Sequence, residues 1–354
     1  MVREKSPGPL FVVGLWRSGT SLLYTLLNKH PEIALMYEAD LPLLPGLFRS
    51  SGSKADWQER WEFWNSALSR HRIDRQQIPP RLPDLQSAAE IVWKQYANGA
   101  GASVIYGEKS PNYYDSLQWL SRKFPNARVV VIWRDPVDIC RSILRAAETG
   151  SSFFAKRGIT HRALIGTRRL KRECEALLRQ GVALHEIQYE EMVKDPAAVL
   201  SGICDFLQIP FDPQMASPEG GDRSAIYEAD HHAGVKSNSI GRKNRKIRDE
   251  ILLDAFKEKI DRYIAYWQRE HNGAWPLYPK LPDGTHAEPS VTERAQDELT
   301  FRLLRAFDHF TSLVYCYAPI SLLRRYRSAR AKPARAGELQ VKESAAMPEA
   351  SPRG

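Results

Sequence analysis

Residues 11–23, FVVGLWRSGTSLL, carry an apolar strand-like stretch through a glycine-bounded turn into a helix-like stretch. From Gly14 to Ser21 the residues read GLWRSGTS, the spacing of a nucleotide-phosphate loop, but Thr20 stands where such loops hold lysine. Glycine lets the backbone curl so that successive amides point at an anion, and the N-terminus of the following helix adds its positive end. Arg17, Ser18, Gly19, Thr20 and Ser21 are therefore candidate phosphate ligands. An ordinary structural turn is the alternative for this stretch taken alone.

Apolar strand-like runs recur at 10–15, 102–107, 127–133 and 182–188, and helical periodicity occupies 20–29, 85–98, 113–123, 136–147, 161–180 and 196–207. Such alternation predicts an α/β fold, a parallel β-sheet flanked by helices on both faces, with ligands bound beyond the carboxyl ends of the strands. Residues 45–84 interrupt the rhythm. There Trp57, Trp61 and Trp64 share one helix face by their spacing; a packed face is expected, and the lining of an acceptor pocket is the alternative. Helical periodicity returns from Asp249 to Arg269, after which Pro276, Pro279, Pro282 and Pro289 mark the end of the compact domain.

At 354 residues and 43% hydrophobic content the chain has enough apolar material for one enzyme-sized domain and a tail. Its four cysteines are widely spread, without the paired spacing of a zinc site or a disulfide framework. The N-terminus lacks a signal peptide's apolar region and cleavage site, so a cytoplasmic location is expected. The net charge of +9 is concentrated: between Phe301 and Arg335 eight arginines and lysines face Asp308 alone. A nearly balanced body argues against a nucleic-acid partner.

The third strand-like run separates the possible chemistries. A kinase or GTPase of this architecture holds a metal-ligating aspartate near that strand's end, but VVVIWRDPVDICRSILRA ends on Arg134. With Pro136 opening a helix, Arg134 lies at the strand's carboxyl end and Ser142 two turns into the helix, both placed to reach one anion. Asp135 reads as a salt-bridge or capping residue, and no metal is required.

Together these residues resemble the sulfotransferase superfamily that uses 3′-phosphoadenosine 5′-phosphosulfate. The loop at 17–21 resembles its 5′-phosphosulfate loop, and Arg134 with Ser142 its 3′-phosphate motif. Between them, YGEKSPNYYDSLQWLSRKFPNARVVVIWRDP is similar to the family's ordered run, as is IQYEEMVKDPAAVLSGICDFLQIP at 187–210. The resemblance, over roughly 8–270, implies a P-loop NTPase-like sulfotransferase fold and transfer of a sulfuryl group to a hydroxyl or amine acceptor. Arg17 and Lys109 then stabilise charge in the transfer, and Glu38 resembles the general base of one branch. Glu32 and Asp40 are expected to be solvated or capping groups, with Asp40 the first substitute to test for Glu38 as the base. His231 and His232 offer the histidine base of other relatives, although an exposed loop is the preferred reading. Lys236, Ser239, Gly241 and Arg242 resemble the loop that folds over the nucleotide, and Tyr189 the residue beside the adenine.

The expected organisation is a sulfotransferase domain at 8–275, a linker and basic amphipathic helical tail at 276–335, and a disordered C-terminus at 336–354. Leucines, aromatics and flanking arginines in the tail suit a helix on an anionic membrane surface at the inner face, a helix docked on a partner, or one packed back on the domain; Pro319 bends or ends it. The acceptor class stays open among lipid, glycan, small-molecule and peptide hydroxyls. Two rival readings stand beside the transferase: a P-loop kinase or NTPase, and a catalytically inactive nucleotide-binding, membrane-associated protein.

Overall fold

Five strands, β1 (Leu10–Val13), β2 (Ile33–Tyr37), β3 (Ile105–Lys109), β4 (Arg128–Trp133) and β5 (Ala183–Gln188), form an all-parallel sheet in the order β2-β3-β1-β4-β5. The computed structural model that shows this describes residues 8–48, 57–99, 105–148, 159–226, 250–270 and 287–330. Register aligns the carboxyl ends: Val12 lies opposite Lys109 on one side and Val130 on the other, and Tyr37 also pairs with Lys109. The turns after β1, β2, β3 and β4 therefore emerge along one edge.

The helices in chain order are α1 (Thr20–Leu27), α2 (Trp57–Asn65), α3 (Ala67–Arg70), α4 (Leu85–Gly99), α5 (Leu117–Lys123) and α6 (Pro136–Glu148). They continue with α7 (Ile159–Arg179), α8 (Tyr189–Lys194), α9 (Pro196–Leu207), α10 (Glu250–Glu270), α11 (Val291–Tyr317) and α12 (Ile320–Arg330). Strand alternation assigns their faces. Leu10, Val12, Val130 and Ile132 point into a core shared with α1, α8 and α9. Phe11, Val13, Val129 and Val131 point the other way, into the larger core built with α4, α5, α6 and α7. Phe11 sits at the centre of that core, edge-on to Trp93, Tyr113 and Phe124. The predicted sheet with helices on both faces is what forms.

The strand β2 is absent from the sequence reading. Its five residues, IALMY, are all buried, so they show no alternation, and alanine, leucine and methionine are good helix formers. Pairing with β3 overrides that preference. β3 in turn runs to Lys109, beyond the expected end at 107, and the helix expected from 113 starts at Leu117 after a short 3-10 turn at Pro111–Tyr113.

The tail packs back on the domain. Phe301 and Cys316 of α11 are buried, and Ser312 Oγ donates to the Leu43 carbonyl at 2.8 Å. Asp297 joins three helices: its carboxylate accepts from Lys259 and Tyr263 of α10 at 2.8 and 2.5 Å and lies 3.0 Å from His161 of α7. Burial alone would raise its pKa, but those three partners hold it well below the usual carboxylate range. Pro319 ends α11, and Arg60 of α2 donates to the freed Ala318 carbonyl at 2.7 Å. No helix among the described residues is long and apolar enough to cross a membrane. Residues 336–354, expected to be disordered, lie outside the described residues.

Candidate active site

The loop after β1 is built as its glycines require. A Cβ on Gly14 would sit 2.6 Å from Ser18 Oγ, and one on Gly19, whose φ is +101°, would sit 2.3 Å from the Tyr189 ring. The backbone therefore turns tightly around the space in front of α1. Arg17 also takes a left-handed conformation, with φ 68°, uncommon for a side-chain-bearing residue and typical of functional loops. Ser18 Oγ is buried and meets no hydrogen-bond partner among the described residues. An orphaned hydroxyl inside a glycine cradle fits an anion such as phosphate. Ser21 Oγ is already engaged, 2.8 Å from the Tyr37 hydroxyl, and Thr20 is buried at the first turn of α1.

The end of β4 closes on this loop. Arg17 Nε donates to Ser142 Oγ of α6 at 3.0 Å, and Arg134 Nη1 donates to the Arg17 carbonyl at 2.7 Å. The Arg134 guanidinium lies 4.3 Å above the Tyr189 ring, which opens α8 directly after β5. Arg17, Arg134, Ser142 and Tyr189, predicted from separate segments, thus form one cluster. Asp135 turns out to be a cap: its carboxylate accepts the Val137 N–H at 2.7 Å as α6 begins. Burial and then the neighbouring Arg134 push the Arg17 pKa down to about 10. Arg145, one turn beyond Ser142 on the same helix, adds to that repulsion. Its three-residue spacing from Ser142 is the sequence signal that places it on the same helix face.

On the other side of the loop, β2 and β3 deliver the second cluster. Lys109 is 1% exposed and donates to Glu38 Oε1 at 2.6 Å, with its ammonium 3.7 Å from the Tyr37 ring centre. Burial lowers the Lys109 pKa, and Glu38 works against that shift. Glu38 has φ 47°, and its backbone is fixed from three directions. Its N–H donates to the Lys109 carbonyl at 2.8 Å, while its own carbonyl accepts from Asn65 Nδ2 at 2.7 Å and Arg70 Nη2 at 2.9 Å. Those bonds hold a strained residue that places its carboxylate on Lys109.

Asp40 departs from expectation: it is neither solvated nor capping, because it is buried and accepts from Ser110 Oγ at 2.6 Å and Asn112 Nδ2 at 2.8 Å. Glu108, which the sequence reading did not single out, is wholly buried beneath it. Its carboxyl accepts from the Asp40 N–H at 2.7 Å, Tyr113 Oη at 2.7 Å and Trp93 Nε1 at 3.1 Å. Burial pushes Glu108 up to about 8, with the Asp40 charge adding to the shift, and pushes Asp40 up to about 6, where Glu38 adds to it. Because side chains alternate along β3, Glu108 anchors one face of the strand while Lys109 serves the other. A charged pair in mid-motif was the only sequence signal; the burial that gives it meaning is tertiary.

Trp57 and Trp61 are fully buried and stacked, as a packed face requires, with Trp61 Nε1 donating to the Ala39 carbonyl at 2.6 Å. Trp64 instead lines a cavity of about 210 Å³ together with Phe63, Tyr315, Leu323 and Tyr326. His231, His232, Lys236, Ser239, Gly241 and Arg242 lie outside the described residues.

A model of the sulfotransferase family matches residues 9–213. The chain belongs to that family. Protein-tyrosine sulfotransferase A of Caenorhabditis elegans is 24% identical over 212 residues, 59% of this chain and 52% of the worm protein. Nodulation protein NoeE of Sinorhizobium fredii is 30% identical over 151 residues, 40% of this chain and 33% of that protein. The chain thus spans about a third to a half of these relatives. Among solved structures, the sulfotransferase domain from the curacin biosynthetic pathway shares the fold, with a TM-score of 0.50 at 20% identity, covering 73% of this chain and 98% of that one.

The buried carboxyl under β3 has a testable pH signature. A carboxyl with a raised folded-state pKa contributes most below its unfolded value, about 4.5, and loses that contribution as pH rises through about 8. Glu108→Gln, which turns an amide donor toward existing donors, is expected to destabilise the fold by about 1–3 kcal/mol at pH 5. Urea unfolding should show this deficit narrowing toward pH 8; an equal deficit at both pH values would contradict a raised pKa.

Proposed function

We propose that this sulfotransferase takes its sulfuryl group from 3′-phosphoadenosine 5′-phosphosulfate and passes it to a hydroxyl-bearing acceptor, with Glu38 as general base. The observation that carries the reading is the convergence of Arg17, Ser142 and Arg134 on one side of the β1 loop with the Lys109–Glu38 pair on the other. Two adjacent arginines repel, and anionic ligand groups relieve that repulsion. Loop amides, Ser18 and Thr20 would hold the 5′-phosphosulfate, Arg134 and Ser142 the 3′-phosphate, and Tyr189 the adenine. Lys236, Ser239, Gly241 and Arg242 would complete the nucleotide site.

In the transfer, the acceptor oxygen forms a bond to sulfur as the bond from sulfur to the 5′-phosphate oxygen breaks, and adenosine 3′,5′-bisphosphate leaves. The chain's own work is positional and electrostatic. Glu38 takes the hydroxyl proton. As its carboxylate is neutralised, its hold on Lys109 weakens, and the ammonium becomes available to the departing phosphate oxygen together with Arg17. Fixed cations of this kind would do what a metal ion does in phosphoryl transfer, and Arg17 and Lys109 would supply the charge that the usual loop lysine supplies elsewhere.

The acceptor is a hydroxyl on a lipid, glycan, small molecule or peptide; the peptide case finds support in the name of the worm relative. Whole-cell extract incubated with the ³⁵S-labelled donor and then fractionated identifies the class directly. Two variants test the assigned roles. Arg134→Ala is expected to weaken binding of adenosine 3′,5′-bisphosphate by roughly 1.5–3 kcal/mol, measured by titration calorimetry, and unchanged affinity would remove Arg134 from the site. Glu38→Gln is expected to leave that binding intact while turnover falls about a hundredfold or more; full activity would exclude Glu38 as the base.

A further inference from the structure

The tail that packs on the domain with one face leaves the opposite face of α11 uncovered. Leu299, Leu303, Phe307, Phe310, Leu313 and Tyr317 are 40–65% exposed. Their steps of three and four residues align them in a single stripe, about 27 Å long at 1.5 Å per residue. Soluble surfaces carry isolated apolar residues, but a continuous stripe of two phenylalanines and three leucines marks a contact surface. The buried side is fixed independently through Asp297, Phe301, Ser312 and Cys316, so this exposure does not arise from a loosely placed helix.

The charges around the stripe select its occupant. Arg302 beside it, paired with Glu298, has a side chain 72% exposed, and beyond Pro319 α12 presents Arg324, paired with Glu59, and Arg325 and Arg327 at the surface along with exposed Leu322 and Tyr326. From Leu299 to Arg330 the only acidic residue is Asp308, and it is turned toward Arg162 and Arg305 on the packed side. The carboxylates beside these arginines, Glu298 and Glu59, are already paired with Arg302 and Arg324, so a second copy seated on this stripe would set one net positive surface against another. Apolar side chains flanked by arginines match the boundary between acyl chains and anionic headgroups.

We propose that the outward face of α11 docks the protein on the surface of an anionic lipid bilayer, the helix lying in the plane of the membrane. The docking is separate from the sulfuryl-transfer site: no residue of the stripe belongs to that site, so either assignment stands without the other.

Flotation of the full chain with vesicles of phosphatidylcholine containing one third phosphatidylglycerol tests this. Binding is expected to these vesicles, to be much weaker on pure phosphatidylcholine, and to fall with added salt. Leu303→Gln/Phe310→Gln, at two exposed positions, should reduce vesicle binding about a hundredfold while leaving the melting temperature and the affinity for adenosine 3′,5′-bisphosphate unchanged. Arg302→Gln/Arg325→Gln should reduce binding to the anionic vesicles by about fivefold per arginine and leave binding to neutral ones unaltered. The proposal fails if the wild type shows no preference for anionic vesicles, or if the stripe variant binds them as the wild type does. It also fails if the wild type is a dimer without vesicle affinity that the stripe variant converts to monomer, which would assign the face to a second copy.

Discussion

Positive charge gathered at the carboxyl edge of the sheet is the constraint on which the rest of this structure depends. Arg17, Arg134 and Lys109 come from three neighbouring strands whose register brings their ends level. A buried ammonium needs a counter-charge in contact, and Glu38 supplies it for Lys109 at 2.6 Å. Arg17 Nε donates to Ser142 Oγ, and Arg134 Nη1 donates to the Arg17 carbonyl. The two guanidiniums lie close enough to repel, and Arg134 adds to burial in lowering the Arg17 pKa.

Much of the surrounding architecture serves to hold that edge. The strained backbone at Glu38 is fixed by Asn65 and Arg70, and Arg70 Nη1 also donates to the Tyr37 and Ala225 carbonyls at 3.0 and 2.9 Å. Beneath, the Glu108 carboxyl ties β3 to the Asp40 backbone and to Trp93 and Tyr113 in the main aromatic core. His71 has its pKa lowered to about 3 by burial, and the Nε2 of its neutral ring lies 3.1 Å from both the backbone nitrogen and the carbonyl oxygen of Tyr37. Packing energy in the core is thus converted into positional precision at the site, through hydrogen bonds that have one satisfied arrangement.

What was legible in the sequence was what depends on local pattern. Four strands, the succession of helices, the loop at 14–21 and the position of Arg134 follow from periodicity and from glycine and proline chemistry, and all of them stand in the structure. What escaped depends on tertiary burial. β2 has the composition of a helix and becomes a strand only because β3 offers it an edge. Glu108 looks like a surface charge beside Lys109 until the core closes over it, and Asp40 looks like a cap until Ser110 and Asn112 reach it. For the tail, the sequence left packing, partner and membrane open, because an amphipathic helix with apolar residues on two sides satisfies all three. The structure divides those residues between a buried face and an exposed one.

The central claim is that the loop lacking its lysine and the arginine at the end of β4 form one site for a doubly phosphorylated adenosine. Titration calorimetry on the wild-type chain, comparing adenosine 3′,5′-bisphosphate in EDTA with ATP in magnesium, tests it most directly. The account predicts saturable binding of the bisphosphate without metal and much weaker binding of ATP. Tight, magnesium-dependent binding of ATP with no binding of the bisphosphate would contradict it.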